Sequence, residues 1–192
     1  MAKVTTGTGD SGYTSLLGDQ RVAKYDPLPE TFGTIDEATS ALGLARATTT
    51  DETARETILH LQGDLYLMMG ELATPAQHQA AVGLRMTAEH VRWLEEREEA
   101  LKAAVEIPNR FVIPGDSVDG AALDLARTII RRAERMVARL AHDGVITNAE
   151  VLRYLNRSSD LVFILARYLE AKQGGSTLAP RPARASKGGS PA

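Results

Sequence analysis

The 192-residue chain contains no cysteine. Disulfides and thiolate metal sites are thereby excluded, and a reducing compartment suits the sequence. No run of residues approaches the roughly 18 consecutive apolar positions that a membrane-spanning helix needs. The opening residues, Met1 to Gly7, carry no apolar stretch of the kind that drives secretion. The expectation is therefore a soluble, cytoplasmic protein that engages no membrane. An excess of positive charge is missing as well: 22 Lys and Arg face 25 Asp and Glu, for a net charge of -3. A general nucleic-acid coat is excluded, and any basic surface must be local. The four histidines, His60, His78, His90 and His142, lack ligand spacing, so no transition metal held by the protein is expected.

What is present is ordinary apolar content, 43%, in a chain long enough for one full-sized core. Ile35, Ala38, Leu42 and Ala45 recur at three or four residues, which predicts a helix from Thr34 to Thr48. The two prolines of "DPLPETFG" argue against a long helix just before it. A second stripe, Ile58, Leu61, Leu65, Met68, Met69 and Leu72, ends at Pro75. A third helix is predicted over about Thr87 to Val105, with Val91, Leu94 and Leu101 inward and the acids Glu95, Glu96, Glu98 and Glu99 on a solvated face. Two long helices follow, Ser117–His142 and Asn148–Ala171, joined by the turn-forming "HDGV" as antiparallel neighbours. No alternation of strand and helix is evident. The class read from this pattern is all-α, a five-helix bundle. Residues 1–173 form the expected domain, and 174–192, rich in Gly, Ser and Pro, the expected disordered basic tail.

Against this background "TTGTGDSGYTSLLG", Thr5 to Gly18, stands out, with four glycines and six Ser or Thr. Such a run favours neither helix nor strand. Gly7, Gly9 and Gly12 match a dinucleotide fingerprint, but the strand and helix that must flank it are missing. The P-loop pattern also fails, because Tyr13 occupies its lysine position. The chemistry outlasts both rejections: glycines let backbone N–H groups converge on an anion, and hydroxyls add donors. A second concentration is "ARTIIRRAERMVARL", where Arg127, Arg131, Arg132, Arg135 and Arg139 accompany one acid, Glu134. Arg127, Arg131 and Glu134 fall within roughly 60° of one another on a helix. Asp36 and Glu37 lie beside an apolar helix face, and Asn156 and Asp160 sit one turn apart in an otherwise apolar helix. Singly, these are compatible with solvated faces, salt-bridge ladders or a satisfied polar group in a core. Together, the loop and the Arg-Glu stripe point to a bound polyanion such as a nucleoside triphosphate.

Six blocks in order, "TGTGDSGYTSLLGDQRVAKYD", "FGTIDEATSALGLA", "LQGDLYLMMGELAT", "FVIPGDS", "ARTIIRRAER" and "VLRYLNRSSDLVFILAR", run from Thr6 to Arg167. They closely resemble the PduO-type ATP:cob(I)alamin (corrinoid) adenosyltransferases. The resemblance implies a homotrimeric bundle with ATP bound where subunits meet, the N-terminal loop wrapping the triphosphate, and Mg²⁺ arriving with ATP. It implies transfer of the 5′-deoxyadenosyl group of ATP to cob(I)alamin, with release of triphosphate. By the same resemblance Thr6, Gly7, Thr8, Gly9, Asp10, Thr14 and Ser15 cradle phosphate, and Lys24 adds a positive charge. Arg131, Arg132, Glu134 and Arg135 line the nucleotide, with Arg131 on phosphate, and Asn156 completes that site. Asp36 and Arg127 form an ion pair across the subunit interface, and Phe111 crowds the lower face of the corrin. Arg131, Glu134 and Phe111 carry the catalytic expectation. A reductase and an adenosylcobalamin-dependent client enzyme are the implied partners. The chain departs from the family's pattern at Gly7, where a basic residue is usual, at Gly115-Asp116, where a second Gly is common, and at Ser158, where an apolar residue is common. Two rivals remain open at this point. One is a non-catalytic carrier or regulator that binds ATP or cobalamin; the other is a scaffold whose Arg stripe is only a seam between subunits.

Overall fold

The structure, a computed structural model, describes residues 5, 7–18 and 20–180. It opens with a hairpin of two short strands, β1 (Tyr13–Ser15) and β2 (Arg21–Ala23), paired antiparallel with Thr14 opposite Val22. The sequence predicted no strand here. The exception arises because Leu16 is buried and the Leu17 amide donates to the Ala73 carbonyl at 2.8 Å, so tertiary contacts hold a ribbon that propensity disfavours.

Five long helices follow: α1 (Pro27–Thr48), α2 (Glu52–Leu72), α4 (Ala88–Lys102), α5 (Val118–His142) and α6 (Ala149–Ala171), with the four-residue α3 (Gln79–Val82) between α2 and α4. The first begins earlier than the prolines suggested. Pro27 and Pro29 occupy its first turn, where backbone N–H groups have no helical acceptor, and the Asp26 carboxylate caps Leu28 N at 2.9 Å. Side chains also cap the later starts: Asp51 on α2, Ser117 on α5 and Asn148 on α6. The α4 helix stops at Lys102, three residues short of the expectation.

The bundle packs α1 between α2 and α5, and α6 between α5 and α4. The predicted inward stripes are the core: Ile35, Leu42, Ile58, Leu61, Leu65, Leu94, Leu123 and Ile130 are fully buried. Each such side chain contributes about 1.5–3 kcal/mol by leaving water. Two buried carboxylates tie helices across this core. Asp64 of α2 accepts from the Tyr154 hydroxyl of α6 at 2.9 Å; burial, reinforced by that carboxylate, pushes the Tyr154 phenol well above its ordinary value. Glu71 accepts from Met86 N at 2.6 Å and from the Asn148 amide at 2.8 Å, joining α2 to the start of α4 and to the cap of α6. Among the described residues no helix is long and apolar enough to cross a membrane.

The segment beyond α6 corrects the domain boundary drawn after residue 173. Val112 and Leu178 form an antiparallel bridge, and Gly175 N donates to Glu170 O at 2.8 Å, so residues 174–180 belong to the folded unit. The apolar Leu178 and the backbone pairing outweigh a composition that reads as tail. Residues 181–192 of that expected tail lie outside the described residues.

Acid sensitivity follows from two of the capping regions. Burial works to raise the carboxyls of Asp51 and Asp119. Hydrogen bonds outweigh it, from Lys172 and Ala54 to Asp51 and from Ser117 and Gln173 to Asp119, and both carboxyls lie below the ordinary value of 3.8. A depressed folded-state pKa stabilises at pH above the unfolded value and is lost as pH falls through the folded one. The thermal midpoint is therefore expected to be flat in pH near neutrality and to drop below about pH 4. Calorimetry between pH 7 and 3 checks this; a midpoint unchanged at pH 3 contradicts it.

Candidate functional site

The glycine-rich loop is built as a series of turns above the hairpin. Gly7 and Gly12 have φ of +70° and +82°, which other residues adopt only with strain. Asp10 N donates to Gly7 O and Gly12 N to Gly9 O, coiling the chain back on itself. A Cβ on Gly9 would stand 2.9 Å from Lys24 Nζ, so the ammonium lies directly over the Gly9 backbone. Lys24 has no ion pair among the described residues. Sequence reasoning missed Arg21: its guanidinium donates to Thr8 O at 2.7 Å and Tyr13 O at 3.4 Å, closing the loop from the opposite strand. Its only signal was position, nine residues after Gly12 in the stretch that also carries Lys24. Thr14 is half-buried and Ser15 exposed on β1, Asp10 is exposed, and Thr6 lies outside the described residues.

The second centre is a cleft of about 570 Å³ between α5, α6 and the connection from α4 to α5. Arg127 and Arg131 of α5, Ser159, Asp160, Phe163 and Arg167 of α6, and Phe111 and Val112 of the connection line it. Phe111 is 89% exposed. Behind the cleft a buried ionic chain runs from α5 to the end of α6. Arg127 Nε meets Asp124 Oδ1 at 2.9 Å, Asp124 Oδ2 meets Arg167 at 2.6 Å, and Arg167 meets Glu170 at 2.9 Å. Both arginines also approach the Phe163 ring, Arg167 at 5.0 Å and Arg127 at 6.0 Å from its centroid. Asp124, Phe163 and Arg167 were not anticipated. The available signal was a lone charge at the end of the apolar run "LVFILAR".

The expected nucleotide residues divide into three groups. Arg131 and Arg135 are exposed and have no hydrogen bond or ion pair among the described residues. Arg132 pairs with Glu37 of α1, an exposed bridge of the kind worth about 0–1 kcal/mol and readily exchanged for a ligand. Glu134 accepts from the Asn156 amide at 2.9 Å, and Arg157 donates to the Asn156 carbonyl at 2.7 Å, so α5 and α6 present a fixed polar pair one turn from the cleft. Asp160 stands beside them. Burial, with the neighbouring Glu98 carboxylate, raises its carboxyl above the ordinary value against the pull of Arg157 and Arg131. The chain does not join the two centres: no hydrogen bond or ion pair among the described residues connects Gly7, Gly9, Asp10 or Lys24 to Arg131, Glu134, Arg135 or Asn156. Nor does it pair Asp36 with Arg127. Asp36 is exposed, and the carboxylate on Arg127 within the chain is Asp124. Among the described residues no three His, Asp or Glu side chains gather to hold a metal.

Comparison with known proteins gives this arrangement a context. A family model described as cobalamin adenosyltransferase matches residues 4–169. The corrinoid adenosyltransferase of Mycobacterium leprae is 38% identical over 87% of this chain and 91% of its own length. That of Bacillus subtilis is 39% identical over 90% and 89%. The corrinoid adenosyltransferase PduO of Salmonella typhimurium is 36% identical over 85% of this chain, which spans only about half (48%) of that longer protein. Among solved structures, a variant PduO-type ATP:corrinoid adenosyltransferase from Lactobacillus reuteri, complexed with cobalamin and ATP, superposes with a TM-score of 0.83 at 31% identity, covering 92% of this chain and 96% of that one. Match, identity and fold agree over nearly the whole bundle: the chain belongs to the cobalamin adenosyltransferase family.

Proposed function

We propose that the protein transfers the 5′-deoxyadenosyl group of ATP to the cobalt of cob(I)alamin, releasing triphosphate and forming adenosylcobalamin. The observation that carries this reading is the cleft itself, where an exposed phenylalanine faces a row of arginines of which Arg131 makes no hydrogen bond or ion pair among the described residues. A flat apolar macrocycle needs the first, and a departing triphosphate needs the second.

The cobalt electron pair attacks C5′ of the ribose. The Co–C bond forms as the C5′–O bond breaks, and the bonding pair leaves on triphosphate. No side chain must act as nucleophile or base, which fits a cleft without a Ser-His or Cys-His pair. Negative charge grows on the leaving group, and the uncommitted guanidinium groups of Arg131 and Arg135 donate to it. Lys24 and the N–H groups of Gly7, Thr8 and Gly9, with the Thr14 and Ser15 hydroxyls, hold the far phosphates. Asp10 and these hydroxyls are oxygen donors of the type Mg²⁺ accepts, and Mg²⁺ bound to ATP neutralises part of its charge. Glu134 fixes the Asn156 amide, a polar group that suits the nucleoside. Phe111 occupies the lower face of the corrin and excludes an axial ligand there, which makes Co(I) accessible to a reductase.

The active unit we propose is a homotrimer. Leu44 and Leu125 are about half exposed and Val118 is 71% exposed, an apolar band on α1 and α5 that a neighbouring copy would cover. Asp36, without an ion pair among the described residues, then reaches Arg127 of the next copy, and the glycine loop meets the α5 stripe across the same seam. The cysteine-free composition suits the cytoplasm, where a reductase and a client enzyme for adenosylcobalamin would operate.

The test is anaerobic: reduced cobalamin, Mg-ATP and protein, followed by visible spectroscopy. ATP-dependent appearance of adenosylcobalamin is expected. Its absence, with cob(I)alamin confirmed and the protein folded, overturns the reading in favour of a carrier.

A further inference from the structure

The connection that carries Phe111 has little structure of its own. Among the described residues, every backbone–backbone hydrogen bond of residues 109–116 runs to the segment after α6: Ile113 N donates to Thr177 O at 2.9 Å, and Ala179 N donates to Phe111 O at 2.8 Å. The Arg110 guanidinium donates to the Ala179 carbonyl, adding a third tie on the same strand. Asp116 fastens the far end. It accepts from both the amide and the hydroxyl of Thr177, at 2.6 and 2.7 Å. These donors hold the Asp116 carboxyl below its ordinary value, so the contact is charge-assisted at neutral pH.

The post-helix segment is itself moored. Gly175 N donates to Glu170 O, and the Ser176 hydroxyl donates to the carboxylate of Glu170, which is fully buried on Arg167. That ionic chain continues through Asp124 to Arg127 in the cleft wall.

We propose that residues 176–179 are a strap that positions Phe111, with the Asp116–Thr177 contact as its clasp. The inference rests on the adenosyl-transfer reading for its purpose, but not for its geometry. A ring exposed to 89% gains almost no packing that could orient it. Its direction must come from its backbone, and among the described residues that backbone is paired only to the strap. A site group misplaced by even an ångström loses much of its effect, so a loop without such pairing would serve poorly. Asp116 and Thr177 are positioning residues; neither lines the cleft.

The test uses the full chain with Asp116→Ala and, separately, Thr177→Val, which removes the hydroxyl but keeps the amide donor. Binding of cob(II)alamin in the presence of ATP, read by visible absorbance, is expected to weaken about tenfold in Asp116→Ala and about threefold in Thr177→Val, while ATP affinity moves less than about twofold. Hydrogen exchange at the Ile113 amide should accelerate in the same order, with circular dichroism unchanged because the clasp is on the surface. Unaltered Ile113 exchange, or a parallel loss of ATP affinity, overturns the proposal. A wild-type chain that protects Ile113 yet forms no adenosylcobalamin overturns the catalytic reading alone.

Discussion

Arg131→Ala is expected to lower kcat by about 10²- to 10³-fold and to raise the KM for ATP, while leaving the thermal midpoint almost unchanged. The reasoning starts from what Arg131 does not do. It is exposed on α5, makes no ion pair or hydrogen bond among the described residues, and lines the cleft opposite Phe111. Surface substitutions away from structural features shift stability by less than about 0.5 kcal/mol. An arginine aimed at a leaving triphosphate is different, because charge develops there only as the C5′–O bond breaks. Removing one preorganised donor of developing charge typically costs about 2.7–4 kcal/mol of transition-state stabilisation. Arg131→Lys should recover part of the rate, since it retains the charge but not the planar fork that engages two phosphate oxygens. Steady-state kinetics over ATP and cobalamin settle the matter. Kinetics unchanged in Arg131→Ala would remove Arg131 from the mechanism, and equal loss of kcat and Tm would mean a structural role.

Much of the architecture was legible because α2, α5 and α6 carry unbroken apolar stripes of helical period, and their caps, Asp51, Ser117 and Asn148, announce where they begin. The start of α1 was misread. Pro27 and Pro29 look like breakers in a linear reading, and only the Asp26 cap shows that they sit where a helix tolerates them. The hairpin was invisible for a different reason: strands of only three residues show no period, and their pairing depends on Leu16 and Leu17 docking against the end of α2. The site shows the same division. The glycines and the α5 arginines declared themselves by type and density. The partners that orient them did not. Arg21 reaches Thr8 from 13 positions away, and Asp124 meets Arg167 from 43. Such contacts depend on helix packing, and no local pattern encodes them. The strap was misread outright, since Ser, Thr and Gly describe a tail equally well until Asp116 supplies an acceptor.

Arg167→Met is the substitution expected to cost the most stability, about 3–5 kcal/mol, which for a chain of this size lowers the thermal midpoint by roughly 10 °C. The side chain is 1% exposed and is the shared cation of Asp124 and Glu170, whose side chains are 3% and 0% exposed. Without it two carboxylates stay buried with no counter-charge between them, while Asp124 keeps only Arg127. The pairing itself is not what makes the bundle stable. Arg167 Nε is buried with no hydrogen-bond partner among the described residues, so within them even the intact network leaves a donor unsatisfied. Replacing all three groups by apolar residues of similar size, Asp124→Leu, Arg167→Met and Glu170→Leu together, should therefore restore most of the loss, since the desolvation of three charges disappears with them. The triple variant separates stability from purpose. It frees Arg127 at the cleft and Ser176 at the foot of the strap, so it should melt near the wild type yet bind cob(II)alamin more weakly. A chain that melts like the wild type and also binds like it would make the network dispensable. An Arg167→Met midpoint within about 2 °C of the wild type would mean that water reaches these carboxylates despite their burial. The expected outcome, a costly single change rescued in stability but not in binding, assigns the buried charges to holding the two walls of the cleft in register.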